Sequence, residues 1–350
     1  MKNLLLSLLA GLAVAVTAAR AELYSYFALP TTADYLYLGP TGINNHGDVV
    51  GVAFELYGDG RPVAFHYASG ATALIASPGP AHSTWGYGIN SAGTIFGFCD
   101  RNGSVSHAMY ATAGGPSVDM DSDFSRSSYG KAINDSNYVV GQLTGGQPFL
   151  GHTSGWIFPL GSTVGNSFVA SGINNNLEVV GNGPWGGEVY NAWTGTITYL
   201  GFALGTFSNH AAAINNSGVV AGTVGTQGFL YSGGVVTYFG SNISGISGVN
   251  SNGDVVGRLT SGRGFVYIRS NGHFLDLNSV VSSSISSTWT LKEGSGINDN
   301  GVICGYAERP SVTSAEWSQW GSTVHQAFKI TPFSIIYLPY PFASAASLSP

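Results

Sequence analysis

Gly42-Ile43-Asn44-Asn45-His46-Gly47-Asp48-Val49-Val50-Gly51 is one copy of a ten-residue phrase, G-I-N-N-x-G-x-V-V-G, that the chain carries seven times with small variations. The other copies start at Gly88-Ile89-Asn90, Ala132-Ile133-Asn134, Gly172-Ile173-Asn174, Ala213-Ile214-Asn215, Gly248-Val249-Asn250 and Gly296-Ile297-Asn298. Successive starts are 46, 44, 40, 41, 35 and 48 residues apart, a mean period of about 42. Each phrase has the chemistry of a β-hairpin. Asn at the first turn position can accept from the backbone two residues on, and Gly at the fourth can take the left-handed conformation that closes the turn. This accounts for Gly47, Gly93, Gly218, Gly253 and Gly301, and for Asn137, the residue type next most tolerant of positive φ. Leu177 breaks the pattern, and the expectation is that Asn176 or a shifted loop absorbs the strain there. The flanking Val-Val and Ile-Phe pairs suit strands.

A second phrase follows each first one, as in Val63-Ala64-Phe65, His107-Ala108-Met109, Gly228-Phe229-Leu230 and His325-Gln326-Ala327-Phe328. A tight turn and a further apolar stretch come next, such as Val235-Val236-Thr237-Tyr238-Phe239. Each repeat therefore holds four short strands. Four strands of about five or six residues with four connections of about five give the observed period. These phrases resemble the extracellular repeat family named for its His-Ala-Phe (HAF) motif, over about residues 42 to 330. The resemblance implies secreted bacterial repeat proteins of propeller-like fold, and it carries no activity onto any residue. Several copies lack the His.

Four-stranded units at this spacing predict an all-β fold, a seven-bladed β-propeller with antiparallel blades. A parallel β-helix repeats at about half that length. An eighth outer-strand-like stretch stands at the start, Leu23 to Pro30, and another near the end, Ile335 to Leu338; one of them should complete the last blade and close the ring.

Composition agrees. The 350 residues include 51 glycines, and only 9% are charged, while 44% are hydrophobic and 12% aromatic, enough to build a core. The glycines follow no three-residue period, which excludes collagen, and the scarcity of charge excludes coiled coils. Residues 1–21 read as a secretory signal, with Lys2, an apolar stretch from Leu4 to Val16 and a small-x-small site at Ala19-Arg20-Ala21. The apolar stretch is shorter than the roughly 20 residues needed to span a bilayer. Residues 22–340 are then one propeller domain and residues 341–350 a tail. The exported chain keeps 10 basic against 18 acidic residues, a net charge of −8, which argues against nucleic acid or an anionic membrane as partner. Cys99 and Cys304 are too few for a disulfide framework.

In such a blade the turns within the two hairpins share one face, and the variable connections share the other. Variable loops on a repetitive scaffold usually carry binding. Trp85 and Trp289 fall in connections between blades, and Trp185, Trp317 and Trp320 fall in loops between the second and third strands on the same face. These five, with Arg258 and Arg309, are the candidate ligand residues, suited to stacking on sugar faces or gripping apolar groups. The hairpin face instead gathers Asp48, Asp135, Glu178, Asp254 and Asp299; turn propensity explains most of this, and a weak cation ring is the sharper alternative.

Nucleophile elbows, paired metal-binding histidines and phosphate loops are absent as motifs. Asp119-Met120-Asp121-Ser122-Asp123 opens like a calcium loop, but Phe124 stands where Gly is required. The sequence thus points to no cofactor, no metal and no catalytic set. It points to an exported monomeric binding or interaction module for an extracellular glycan or protein. The alternative is a polysaccharide-active enzyme, hydrolase or lyase, with channel carboxylates.

Overall fold

Consecutive valines in the repeated phrase point to opposite sides of their strand, because side chains alternate with a period of two. Both are buried: Val49 packs in a cluster with Leu38, Phe65 and Cys304, while Val50 packs with Ile95, Cys99 and Met109 of the following repeat. Val139 and Val140, Val179 and Val180, and Val255 and Val256 divide in the same way between successive clusters. A strand buried on both faces must sit between neighbours on both sides, and a closed ring gives every one of the seven units such neighbours without caps.

The computed structural model describes residues 22–31, 35–55, 61–78, 83–101, 105–112, 114–123, 125–313 and 322–333. It is a seven-bladed β-propeller of seven four-stranded antiparallel sheets. The first blade runs outward through Tyr35–Ile43, Val49–Glu55, Pro62–Ala68 and Ala71–Leu74, and the next five follow the same order. The seventh is composite. Its first three strands, Thr290–Ile297, Ile303–Pro310 and Thr323–Pro332, are completed on the outside by Tyr24–Ala28 from the start of the chain. Tyr24 is fully buried, and Leu29 N–H donates to the carbonyl of Ala327. The N-terminal stretch therefore closes the ring; Ile335 to Leu338 lies outside the described residues.

The turns behave as the phrase requires. Gly47, Gly93, Gly218, Gly253 and Gly301 have φ between 73° and 83°, and Asn137 has φ 63°. Leu177 corrects the expectation: it takes φ 59° itself, with neither Asn176 nor a shifted loop relieving it. The turn is held too firmly to shift, since Leu177 N–H donates to Asn174 O while Leu177 O accepts from Ala192 N–H, and its side chain packs on the blade core.

The asparagine of each phrase has a second task. Asn44 Oδ1 accepts from the N–H groups of His46 and Asp48, and the equivalent pair recurs at Asn90, Asn134, Asn174, Asn215 and Asn298. Nδ2 then reaches across to the backbone carbonyl of the corresponding asparagine in the next blade. Asn44 donates to Asn90, Asn90 to Asn134, Asn134 to Asn174, Asn174 to Asn215, Asn215 to Asn250, Asn250 to Asn298 and Asn298 to Asn44, at 2.8 to 3.3 Å. The circle is closed, and all seven side chains are buried. Asp48, Glu178 and Asp254 accept a further bond from the same amides, at 3.1, 2.6 and 3.1 Å. Two outer arcs run through the following residues: in one, Ser91 N–H donates to Asp135, Asp135 N–H to Asn175 and Asn175 N–H to Asn216, and in the other Ser251 N–H donates to Asp299 and Asp299 N–H to Asn45. The acidic residues of this face thus tie the turns together.

Two outcomes are expected. Deleting residues 22–31 removes the buried side chains of Leu23, Tyr24 and Leu29, each contributing about 1.5–3 kcal/mol, and exposes a strand edge. Its melting temperature should fall by more than about 10 °C, whereas deletion of 341–350 should leave it unchanged; equal melting temperatures would refute closure by the N-terminal strand. Asn134→Asp replaces a buried donor by an acceptor facing the Asn174 carbonyl and should cost about 2–3 kcal/mol in urea denaturation.

Candidate functional site

In every blade the pairing of the two innermost strands slips by one residue just before the repeated phrase. The unpaired residues are Thr41, Tyr87, Lys131, Ser171, Ala212, Ser247 and Ser295. The glycine that ends each phrase makes room for this bulge. A methyl group at Gly97 or Gly141 would fall on the carbonyl oxygen of Trp85 or Tyr129 on the innermost strand. A bulge bends the strand and re-aims the extra side chain. Here all seven extra side chains line one cavity of about 580 Å³ at the end of the central channel facing the variable connections. A second cavity of about 220 Å³ lies at the hairpin end, bounded by the asparagine circle, and Ile43, Ile89 and Ile133 line both.

The two ends differ in kind. The hairpin end repeats nearly the same amides around the ring, while the mouth receives Thr, Tyr, Lys, Ser, Ala, Ser and Ser from the bulges. Val169, His210 and Glu293 enter it from two residues earlier in their strands. Between the second and third blades the mouth extends into a slot of about 310 Å³ lined by Tyr87, Phe98, Tyr129, Lys131, Gln142 and Val169. Its wall is a packed aromatic group. Phe98 stacks on Trp85 at 4.4 Å and 20° and on Tyr87 at 5.8 Å, and meets Tyr129 edge-on at 5.1 Å. Lys131 Nζ lies 5.2 Å from the Tyr87 ring centroid. Burial pushes the Tyr87 hydroxyl pKa up and the His210 pKa down, so both are neutral at neutral pH. Across the mouth, Ser247 Oγ donates to Glu293 at 2.9 Å.

The residues singled out from the sequence are brought together only in part. Trp85 is not in a connection but in the innermost strand Thr84–Ile89, where it backs the aromatic wall. Trp289 precedes the innermost strand of the seventh blade, and the Arg309 guanidinium lies 5.0 Å from its ring. Arg258 lies in the second strand of the sixth blade, at the Gly262 turn with Lys292. Trp185 sits apart at a hairpin tip of the fourth blade, 57% exposed and edge-on to Phe207 at 5.8 Å. Trp317 and Trp320 lie outside the described residues. Missed altogether as a group were Tyr87, Tyr129, His210, Ser247 and Glu293. Their signal is positional: they stand three or five residues before the invariant Asn, where the repeats stop agreeing.

Other candidates are accounted for by their neighbours. Asp119 meets His107 at 2.9 Å and Arg101 at 3.0 Å, and Asp121 meets Arg126 at 3.1 Å, so the calcium-like stretch is an ion-paired corner. Among the described residues no group of three or more His, Cys, Asp or Glu is placed to hold a metal ion. Cys99 and Cys304 are both free and buried, in different clusters, with burial pushing each thiol pKa up to about 12.

No protein-family model and no curated protein matches the chain. Solved structures do. The extracellular domain of a B. thetaiotaomicron protein described as a hybrid two component system is 10% identical, with TM-score 0.54, the match covering 89% of this chain and 42% of that one. A second extracellular domain from the same organism, described as part of a one component system, gives TM-score 0.49 at 10% identity over 89% and 40%. The chain spans about two fifths of the length of these neighbours. At such identity the first of these likenesses shows the propeller fold alone. No helix among the described residues is long and apolar enough to cross a membrane.

A pH test follows from Glu188, which is buried beneath the Trp185 turn. It accepts from Trp185 N–H, while its second oxygen has no partner among the described residues. Burial raises its pKa, so the folded chain keeps the proton to a higher pH than the unfolded chain. Stability on this account is fully present below the unfolded pKa and falls as pH rises through the folded one. Glu188→Gln should raise the melting temperature at pH 7 by on the order of 2–4 °C, and the gain should vanish below about pH 4.

Proposed function

We propose that the protein is an exported binding module, without catalysis of its own, that holds an extracellular ligand at the channel mouth on its variable face. One observation carries this reading: a bulge repeated in all seven blades delivers five different side-chain types, Thr, Tyr, Lys, Ser and Ala, into a single cavity, while the ten-residue phrase that follows each bulge is nearly uniform. A ring of identical sites would suit a structural spacer. A ring in which the same bulge presents Tyr and Lys in two neighbouring blades and small side chains in the other five suits recognition by one asymmetric ligand. Exposed Tyr129 and half-buried Tyr87, packed on Phe98, which in turn stacks on Trp85, offer a stacking wall, and Lys131, Gln142, His210, Ser247 and Glu293 surround it with polar groups. Aromatic wall and polar rim together fit a saccharide better than a purely apolar ligand. That the neighbours of the fold are extracellular domains is in keeping with an exported module.

The polysaccharide-hydrolase alternative calls for two carboxylates about 5 to 10 Å apart across a bound sugar. Glu293 is the single carboxylate among the described residues lining the mouth, which favours holding over hydrolysis. Trp289 with Arg309, and Trp185 with Phe207, form separate rim positions that would extend a long ligand.

The test is a glycan array with the exported chain, followed by titration of the best ligand. Tyr129→Ala should weaken binding at least tenfold with an unchanged melting temperature. Loss of binding in Trp289→Ala but not in Tyr129→Ala would move the site from the mouth to the rim.

A further inference from the structure

Resting on the mouth as the ligand site, we propose that it selects an acidic saccharide, a glycan bearing a hexuronate-type carboxylate, and sets that carboxylate against Lys131. The charge pattern carries the argument. Four cations elsewhere on this face are neutralised by carboxylates, Arg101 by Asp119 at 3.0 Å, Arg126 by Asp121 at 3.1 Å, Arg263 by Asp276 at 2.8 Å and Lys292 by Glu308 at 3.4 Å, while Arg258 and Arg309 lie outside the lining of the mouth and its slot. Lys131 is exposed, lines both the mouth and its slot, and forms no ion pair among the described residues. In a chain with 18 acidic residues and a net charge of −6, a cation left without a carboxylate inside a concave site is set up for an outside anion. The bulge of the third blade places it there, and the Tyr87 ring holds its ammonium 5.2 Å from the ring centre.

The surroundings narrow the anion. Lys131 supplies one positive charge with no guanidinium fork and no helix terminus beside it in the slot, which suits a singly charged carboxylate better than a phosphate. The Tyr129 ring, exposed in the slot and braced edge-on by Phe98, can take the C–H face of the pyranose that carries the carboxylate. The Gln142 side chain lines the same slot. Glu293 lines the far wall with Ser247 fixed against it, so it repels a carboxylate and accepts from hydroxyls. The sugar is thereby oriented, acid toward the third blade and hydroxyls toward the seventh.

Isothermal titration with tri-galacturonate and with the neutral galactose trisaccharide of the same linkage tests this. The wild-type chain should bind the acidic trisaccharide at least tenfold tighter than the neutral one, with the difference shrinking at high salt. Lys131→Gln should abolish the preference by weakening acidic binding at least tenfold, Lys131→Arg should retain it, and Glu293→Gln should strengthen acidic binding. Equal wild-type affinities, or a preference that survives in Lys131→Gln, would overturn the acidic assignment and leave the binding module standing. Binding of neither trisaccharide overturns the acidic assignment too; if no array glycan binds either, the glycan-module reading also fails. Melting temperatures of the variants separate these outcomes from misfolding.

Discussion

A carboxamide is the side chain that can do what each blade of this ring asks of one residue. Its oxygen accepts from its own turn, and its nitrogen donates to the next blade's backbone. Asp could accept but not donate, Ser has one polar atom for both tasks, and Gln carries an extra methylene that would displace both bonds. In a buried position each unmade bond would cost the desolvation of a polar group, about 1–3 kcal/mol, so the seven links are strongly specified. Because the last link runs from Asn298 to Asn44, every blade is held by its neighbours on both sides and none of the seven is a free end. Ring closure is thus made twice: on the inside by the asparagine circle, and on the outside by the N-terminal strand in the last sheet. The two closures join different parts of the chain, residues 44 and 298 in one case and 24–28 with 328–332 in the other. Both depend on the same blade count.

The amide circle also explains the glycine excess and the scarcity of charge. A channel end walled by amides, backbone and short turns needs few charged groups, and those that occur, such as Asp48 and Glu178, serve as acceptors for the ring amides. Glycine is favoured where the turn takes positive φ, as in five of the seven turns, and is required where the phrase ends against the innermost strand. The second use produces the bulge, so the residue that makes the blade pack is also the residue that turns a side chain into the mouth.

What could be read from the sequence was whatever repeats. Hairpin phrase, period, strand count and the positive φ at Asn137 all follow from local chemistry expressed seven times. What could not be read depends on register. The bulge becomes visible only when the partner of Gly141 is known to be Gly130 and that of Val140 to be Ala132, leaving Lys131 unpaired. For the same reason Trp85 looked like a loop residue: it lies ahead of the phrase, in a stretch whose strand pairing is set by close approach to Gly97 and not by a pattern of its own. Leu177 shows the converse. A local preference against positive φ was outweighed by bonds and packing that the turn inherits from its neighbours.

These two kinds of position separate stability from the proposed recognition along one strand. Residues from Ile43 onward, and their equivalents, are bound to the ring and resist change, because altering one breaks bonds in two blades. Residues three places before each asparagine line the channel mouth without joining the asparagine circle, and a bulged residue has its backbone already excused from the ladder. Their side chains can therefore vary while the fold stays the same. A scaffold so arranged can exchange Thr for Tyr or Ser for Lys at the mouth at little structural cost, which is the condition for a repeat protein to present a single asymmetric site from seven nearly equal parts.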